Sequence, residues 1–147
     1  MRSRRGFTLL EMLVAATISI AVLAAGYQAY TGFMRADDIE ARRESMNLGT
    51  QYLMNQIKGD VRAGSSVNGT KDSLVISGPN GAVTYRNLRD GSGIEKLIAG
   101  RRVKYRDIVG EFSTSNGGSN IMLRSKANVH RRPITVEISS YIRPRNR

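Results

Sequence analysis

At 147 residues the chain has room for one modest domain and an anchor. Its net charge of +11 sits at the two ends: residues 1–6 hold three arginines and no acid, residues 7–100 balance nine bases against nine acids, and residues 101–147 set eleven bases against three acids. Cysteine is absent and histidine occurs once, which excludes a disulfide framework and a thiolate metal site and leaves too few soft ligands for a transition metal, so no cofactor is expected.

The first element is apolar. Met12 to Met34 is a run of 23 uncharged residues, about 34 Å of helix at ~1.5 Å per residue, against a hydrocarbon core of about 30 Å. Arg2, Arg4 and Arg5 precede it, so the positive-inside rule keeps the short N-terminus cytoplasmic and sends the remainder outward. Glu11 does not fit such a segment, because a carboxylate near hydrocarbon costs roughly 2.5–3.5 kcal/mol on insertion scales. A signal peptide cut near Ala24, Ala25 and Gly26, or a plain single-span anchor, leaves that acid unexplained. A cut between Gly6 and Phe7 would explain it. The new α-amino group would lie four residues before Glu11, and in a helix bundle the carboxylate of one chain could meet the free amine of its neighbour.

The stretch "GFTLLEMLVA" resembles the prepilin cleavage and methylation signature of type IV pilins and type II secretion pseudopilins, with Gly6, Phe7, Thr8, Leu9, Leu10 and Glu11 all at matching positions. The resemblance implies cleavage after Gly6 by prepilin peptidase, N-methylation of Phe7, and a role for Glu11 in steering insertion into a growing filament. One departure is Gln28, where many type IV pilins carry a helix-kinking proline; Gly26 and Gly32 are then the weak points of the stretch. The resemblance also implies an α+β pilin-like fold. Residues 1–6 would form a leader, 7–34 a transmembrane and filament-core helix, 35–64 the soluble amphipathic half of that helix, and 65–147 an antiparallel β-sheet head.

Helical periodicity continues past the apolar run. Ile39, Met46, Leu53 and Asp60 are seven apart, and Met46, Leu53, Ile57 and Val61 share a stripe. The spacing predicts a helix of about 55 residues, roughly 80 Å long, ending near "RAGSS" with Gly64 as C-cap. Short alternating runs follow. "SLVIS" and "AVTYRNL" flank the hairpin signal "GPNG", and "GIEKLIA", "VKYRDIVGEF", "NIMLRSKANV" and "PITVEISSYI" read as further strands of one antiparallel sheet. Val136, Ile138, Ser140 and Ile142 share one side, which the second half of the helix would cover.

"YLMNQIKGDVR" and the tail "ISSYIRPRN" resemble the late helix and closing strand of J-type minor pseudopilins and PilW-like minor pilins. The lack of cysteine separates the chain from disulfide-closed pilins, the lack of a C-terminal aspartate cluster from calcium-binding major pseudopilins, and Glu11 from the K-type minor pseudopilin. What this implies is an inner-membrane, single-pass subunit with a periplasmic head. It would join other minor and major pilins or pseudopilins in a tip complex, after contact with membrane lipid and the inner-membrane assembly platform.

No catalytic constellation is expected. His130 has basic sequence neighbours and no acid beside it in the sequence to mark it as a general base, and Ser113, Ser115 and Ser119 read as turn chemistry in a Gly/Asn-rich loop. "GSGIEK" lacks the spacing of a phosphate loop. The basic C-terminal third offers a second reading. Arg101, Arg102, Lys104 and Arg106 fall on one strand, and Arg124, Lys126, Arg131 and Arg132 around another. Together they could contact DNA phosphates, as in a DNA-uptake pilus, or dock an acidic subunit.

Overall fold

The computed structural model of the chain describes residues 8–79, 81–115 and 117–145. Among the described residues, one helix, α1 (Leu9–Ala63), is followed by strands only. The chain divides into two compact units, Met1–Asp38 and Ile39–Arg147.

In the first unit, α1 exposes its apolar side chains on every side, from Leu9 and Leu10 through Ile18, Ile20 and Leu23 to Phe33. Its most apolar eighteen-residue window has a mean hydropathy of 2.1, and none of it is buried by protein. The aliphatic hydroxyls of the apolar run are turned inward on the backbone. Thr17 Oγ1 donates to Val14 O at 2.8 Å, Ser19 Oγ to Ala15 O at 2.8 Å and Thr31 Oγ1 to Gln28 O at 3.0 Å. A helix bound for lipid needs this arrangement, because hydrocarbon offers such groups no other partner.

In the second unit, α1 buries Met46, Thr50, Leu53, Met54, Ile57 and Val61, a stripe that includes all four residues expected from periodicity. Thr50 is tolerated there because its hydroxyl donates to Met46 O at 2.7 Å. Eight strands follow: β1 (Ser66–Thr70), β2 (Ser73–Gly78), β3 (Gly81–Asn87), β4 (Gly93–Ile98), β5 (Arg101–Arg106), β6 (Ile108–Ser115), β7 (Gly118–Val129) and β8 (Arg132–Ile142). All pairings are antiparallel between chain neighbours. The helix-on-antiparallel-sheet class expected from the sequence therefore holds.

The strands are divided differently from the expectation, into a five-stranded sheet, β1-β2-β3-β4-β5, and a three-stranded one, β6-β7-β8. The run "VKYRDIVGEF" is two strands in different sheets. Asp107, between them, has φ of 62°, and its N–H donates to Ser92 O at 2.8 Å. A left-handed residue cannot continue a strand, so the chain turns there from one sheet to the other. Ser113 and Ser115 lie in β6 and Ser119 in β7, not in a loop. The hydroxyl of buried Ser119 donates to Ser113 O at 3.2 Å. β1 was not expected, since "SVNGT" has one apolar residue in five.

A single core joins α1 to both sheets. Leu53, Met54, Ile57 and Val61 pack with Leu74, Ile76, Tyr85 and Ile94 of the larger sheet and with Ile108, Phe112, Ile121, Leu123 and Ile142 of the smaller one. Asp60, the polar member of the helical stripe, is satisfied: Lys96 Nζ lies 2.7 Å from its Oδ2, and the Tyr85 hydroxyl donates to the same oxygen. The helix ends at Ala63, where Gly64 N–H donates to Asp60 O at 2.9 Å. Gly64 is not in the left-handed conformation of a C-cap glycine. Its requirement is space, since a Cβ there would lie 2.5 Å from Ile76 Cγ2. The tail returns to the same place, with Arg145 N–H donating to Arg62 O at 3.3 Å.

Candidate assembly site at the helix N-terminus

Gly6 and Phe7, the expected cleavage pair, and the arginines before them lie outside the described residues. Thr8 and Glu11 are described, and they hold each other. Thr8 N–H donates to Glu11 Oε2 at 2.9 Å and Thr8 Oγ1 to the same oxygen at 3.1 Å, while Glu11 N–H donates back to Thr8 Oγ1 at 3.2 Å. With Leu9 as the first helical residue, Thr8 stands at the N-cap and Glu11 at the third position, the reciprocal arrangement of a capping box. Such a cap is worth about 1 kcal/mol, and a negative charge in the first turn opposes the positive end of the helix dipole. The spacing Thr-x-x-Glu was in the sequence as a signal, and reasoning about lipid burial alone passed over it. Glu11 therefore has a local partner as well as any distant one. Its second carboxylate oxygen, Oε1, makes none of these bonds.

Residues 1–27 match the family described as prokaryotic N-terminal methylation motif. They carry a type IV pilin-like prepilin signal. Such a signal is typical of structural subunits, and it implies processing by prepilin peptidase and assembly with other pilins. The apolar part of α1, near the N-terminus, is long enough to anchor such a subunit in a membrane. No curated protein and no solved structure matches the chain.

The eight basic residues singled out in the C-terminal third do not converge on one surface element. Arg101, Arg102, Lys104 and Arg106 are all exposed on β5. Arg124 and Lys126 are on β7 of the other sheet, and Arg131 and Arg132 are at the β7–β8 hairpin. Arg124 is engaged by Glu137 on β8, 2.9 Å away. His130 and Arg131 form the hairpin tip with φ of 49° and 64°. Among the described residues, no three His, Asp or Glu side chains gather as metal ligands.

On β4, Glu95 is 2 % exposed although it lies among cations. Arg86 donates to its Oε2 through Nε at 2.9 Å and Nη2 at 2.8 Å, and Arg102 Nη1 is 4.0 Å from Oε1. The Arg86 bonds hold this carboxyl below its usual pKa. Burial, then the Asp60 bond, pushes the Tyr85 phenol far above its usual value. These groups fasten the head together and offer no open nucleophile.

Proposed function

We propose that the chain is a minor pseudopilin or minor pilin of the J or PilW kind. Prepilin peptidase cuts between Gly6 and Phe7, and Phe7 is N-methylated. The subunit then rests in the inner membrane with its head in the periplasm, until residues 7–34 are drawn into a pilus or pseudopilus. There Glu11 pairs with the N-terminal amine of an adjacent subunit, and the chain joins other minor subunits in a tip complex that primes assembly, for type II secretion or type IV pilus biogenesis. The inner-membrane assembly platform is its partner before extraction.

The observation that carries this reading is the methylation motif over residues 1–27 followed by an apolar helix with Glu11 as its sole charge before Arg35. Mass spectrometry of the native chain tests it. The expected product begins at methylated Phe7. A chain beginning at Met1, or downstream near Gly26, overturns it. Glu11→Leu should leave the chain in the membrane and out of cross-linked assemblies; undiminished incorporation would refute the pairing.

A further inference from the structure

Strand β5 ends the larger sheet and has β4 on one side only. Three of its four cations share one face. Arg102, Lys104 and Arg106 share the face of Glu95, which stands opposite Lys104. Arg101, Val103 and Tyr105 share the face of Lys96, toward α1, where the Tyr105 hydroxyl donates to Gln56 Oε1. On α1, Gln56 Nε2 donates to the Tyr52 hydroxyl at 3.0 Å, and Leu48 lies one turn before Tyr52 on the same side. Leu48 and Tyr52 are 60 % and 61 % exposed, Val103 45 % and Ile98 39 %. The only other large apolar side chains exposed among the described residues of this unit are Val109 and Tyr141, so apolar exposure is concentrated along this edge.

An open edge with an apolar seam on one face and cations on the other suits an added strand. The backbone of the newcomer would continue the ladder, and its alternate side chains would be read separately on the two faces. We infer that β5 is the docking edge for an extended segment of a different subunit, one that alternates acidic and apolar residues. Glu95 illustrates the chemistry: one carboxylate already lies under Arg86 and Arg102 and opposite Lys104, and the exposed cations of this face outnumber it. A second copy offering its own β5 is excluded by charge, since Arg and Lys would stand opposite Arg and Lys. The far edge, β1, is Ser-Val-Asn-Gly-Thr and carries no acid. The inference rests on the subunit reading for the kind of neighbour, and on β5 alone for its chemistry.

Hydrogen exchange on the full chain in detergent micelles tests it, with a synthetic octapeptide of alternating Glu and Val as probe. The amides within residues 101–106 that point away from β4 should slow about tenfold or more on ladder formation, less so at high salt. A Lys/Val octapeptide should have no effect. Arg102→Glu with Lys104→Glu should reverse the preference between the two peptides, and Tyr52→Ser should weaken binding. Arg131→Glu with Arg132→Glu, on the other sheet, should change nothing. Unchanged exchange at 101–106 with the Glu/Val peptide overturns the inference, as does protection that survives the double charge reversal. Protection by duplex DNA that is indifferent to Tyr52→Ser also overturns it, in favour of phosphate contact. A native N-terminus other than Phe7 would sink the subunit reading and leave the peptide result standing, so the two failures are distinguishable.

Discussion

Two side chains in the head make stability depend on pH in opposite directions. Tyr85 is neutral in the folded chain and its phenol pKa is raised, chiefly by burial and then by its bond to Asp60. Its contribution is complete below the unfolded value of 10.0 and declines as pH rises beyond it. Thermal melts should show a loss above pH 10 that Tyr85→Phe reduces. At neutral pH the same substitution should cost about 1.5–3 kcal/mol, because it removes a bond to a charged acceptor. Glu95 runs the other way. Its pKa is lowered by Arg86, so its stabilisation is present above the model-peptide value of 4.5 and fades as pH falls below it. Glu95→Gln should flatten the acid limb of the melting curve, and an unchanged limb would assign acid lability elsewhere.

At the scale of the element, the start of α1 gives one residue two tasks. Glu11 caps the helix through Thr8, and in the proposed filament its charge also serves a neighbour. Glutamine serves in a capping box as well as glutamate does, but cannot form an ion pair. Glu11→Gln should therefore keep full helicity by circular dichroism and fail in assembly. Thr8→Ala should lower helix stability by about 1 kcal/mol while leaving the charge in place. Equal assembly by Glu11→Gln would mean that the carboxylate acts through hydrogen bonding alone. Strand β5 presents a comparable duality. Its cations discourage pairing with a copy of itself and favour an acidic newcomer, so one pattern sets both what is refused and what is accepted.

For the whole molecule, every buried apolar residue of the core among those described lies at or after Met46. A chain starting at Ile39 should accordingly fold, remain in the supernatant after ultracentrifugation and unfold cooperatively. The full chain should require detergent. Loss of cooperative unfolding in the shorter chain would show that the apolar helix contributes to the head. The helix and its buried stripe were legible in the sequence, because burial on one side of a helix leaves a regular mark: Met46, Leu53, Ile57 and Val61 are spaced as α1 turns. The methylation motif was legible in the sequence and is matched over residues 1–27, whereas the capping geometry of Thr8 and Glu11 follows from the spacing Thr-x-x-Glu and not from lipid burial. The partition of strands was not legible, because one aspartate, with no glycine or proline beside it, makes the break at Asp107. β1 is held through pairing with β2 and a contact from Gly69 N–H to Thr114 Oγ1, neither of which leaves a hydrophobic pattern.

The core takes Ile142 from the last strand, and the backbone after it bonds to Arg62 at the end of the helix. During synthesis the helical stripe therefore emerges long before the last of the groups that cover it. In a head delivered across a membrane from its N-terminus onward, β2 to β4 can cover part of that stripe early, but the core stays open on the side of the smaller sheet until β8 has followed. That interval is when a chaperone would have something to hold.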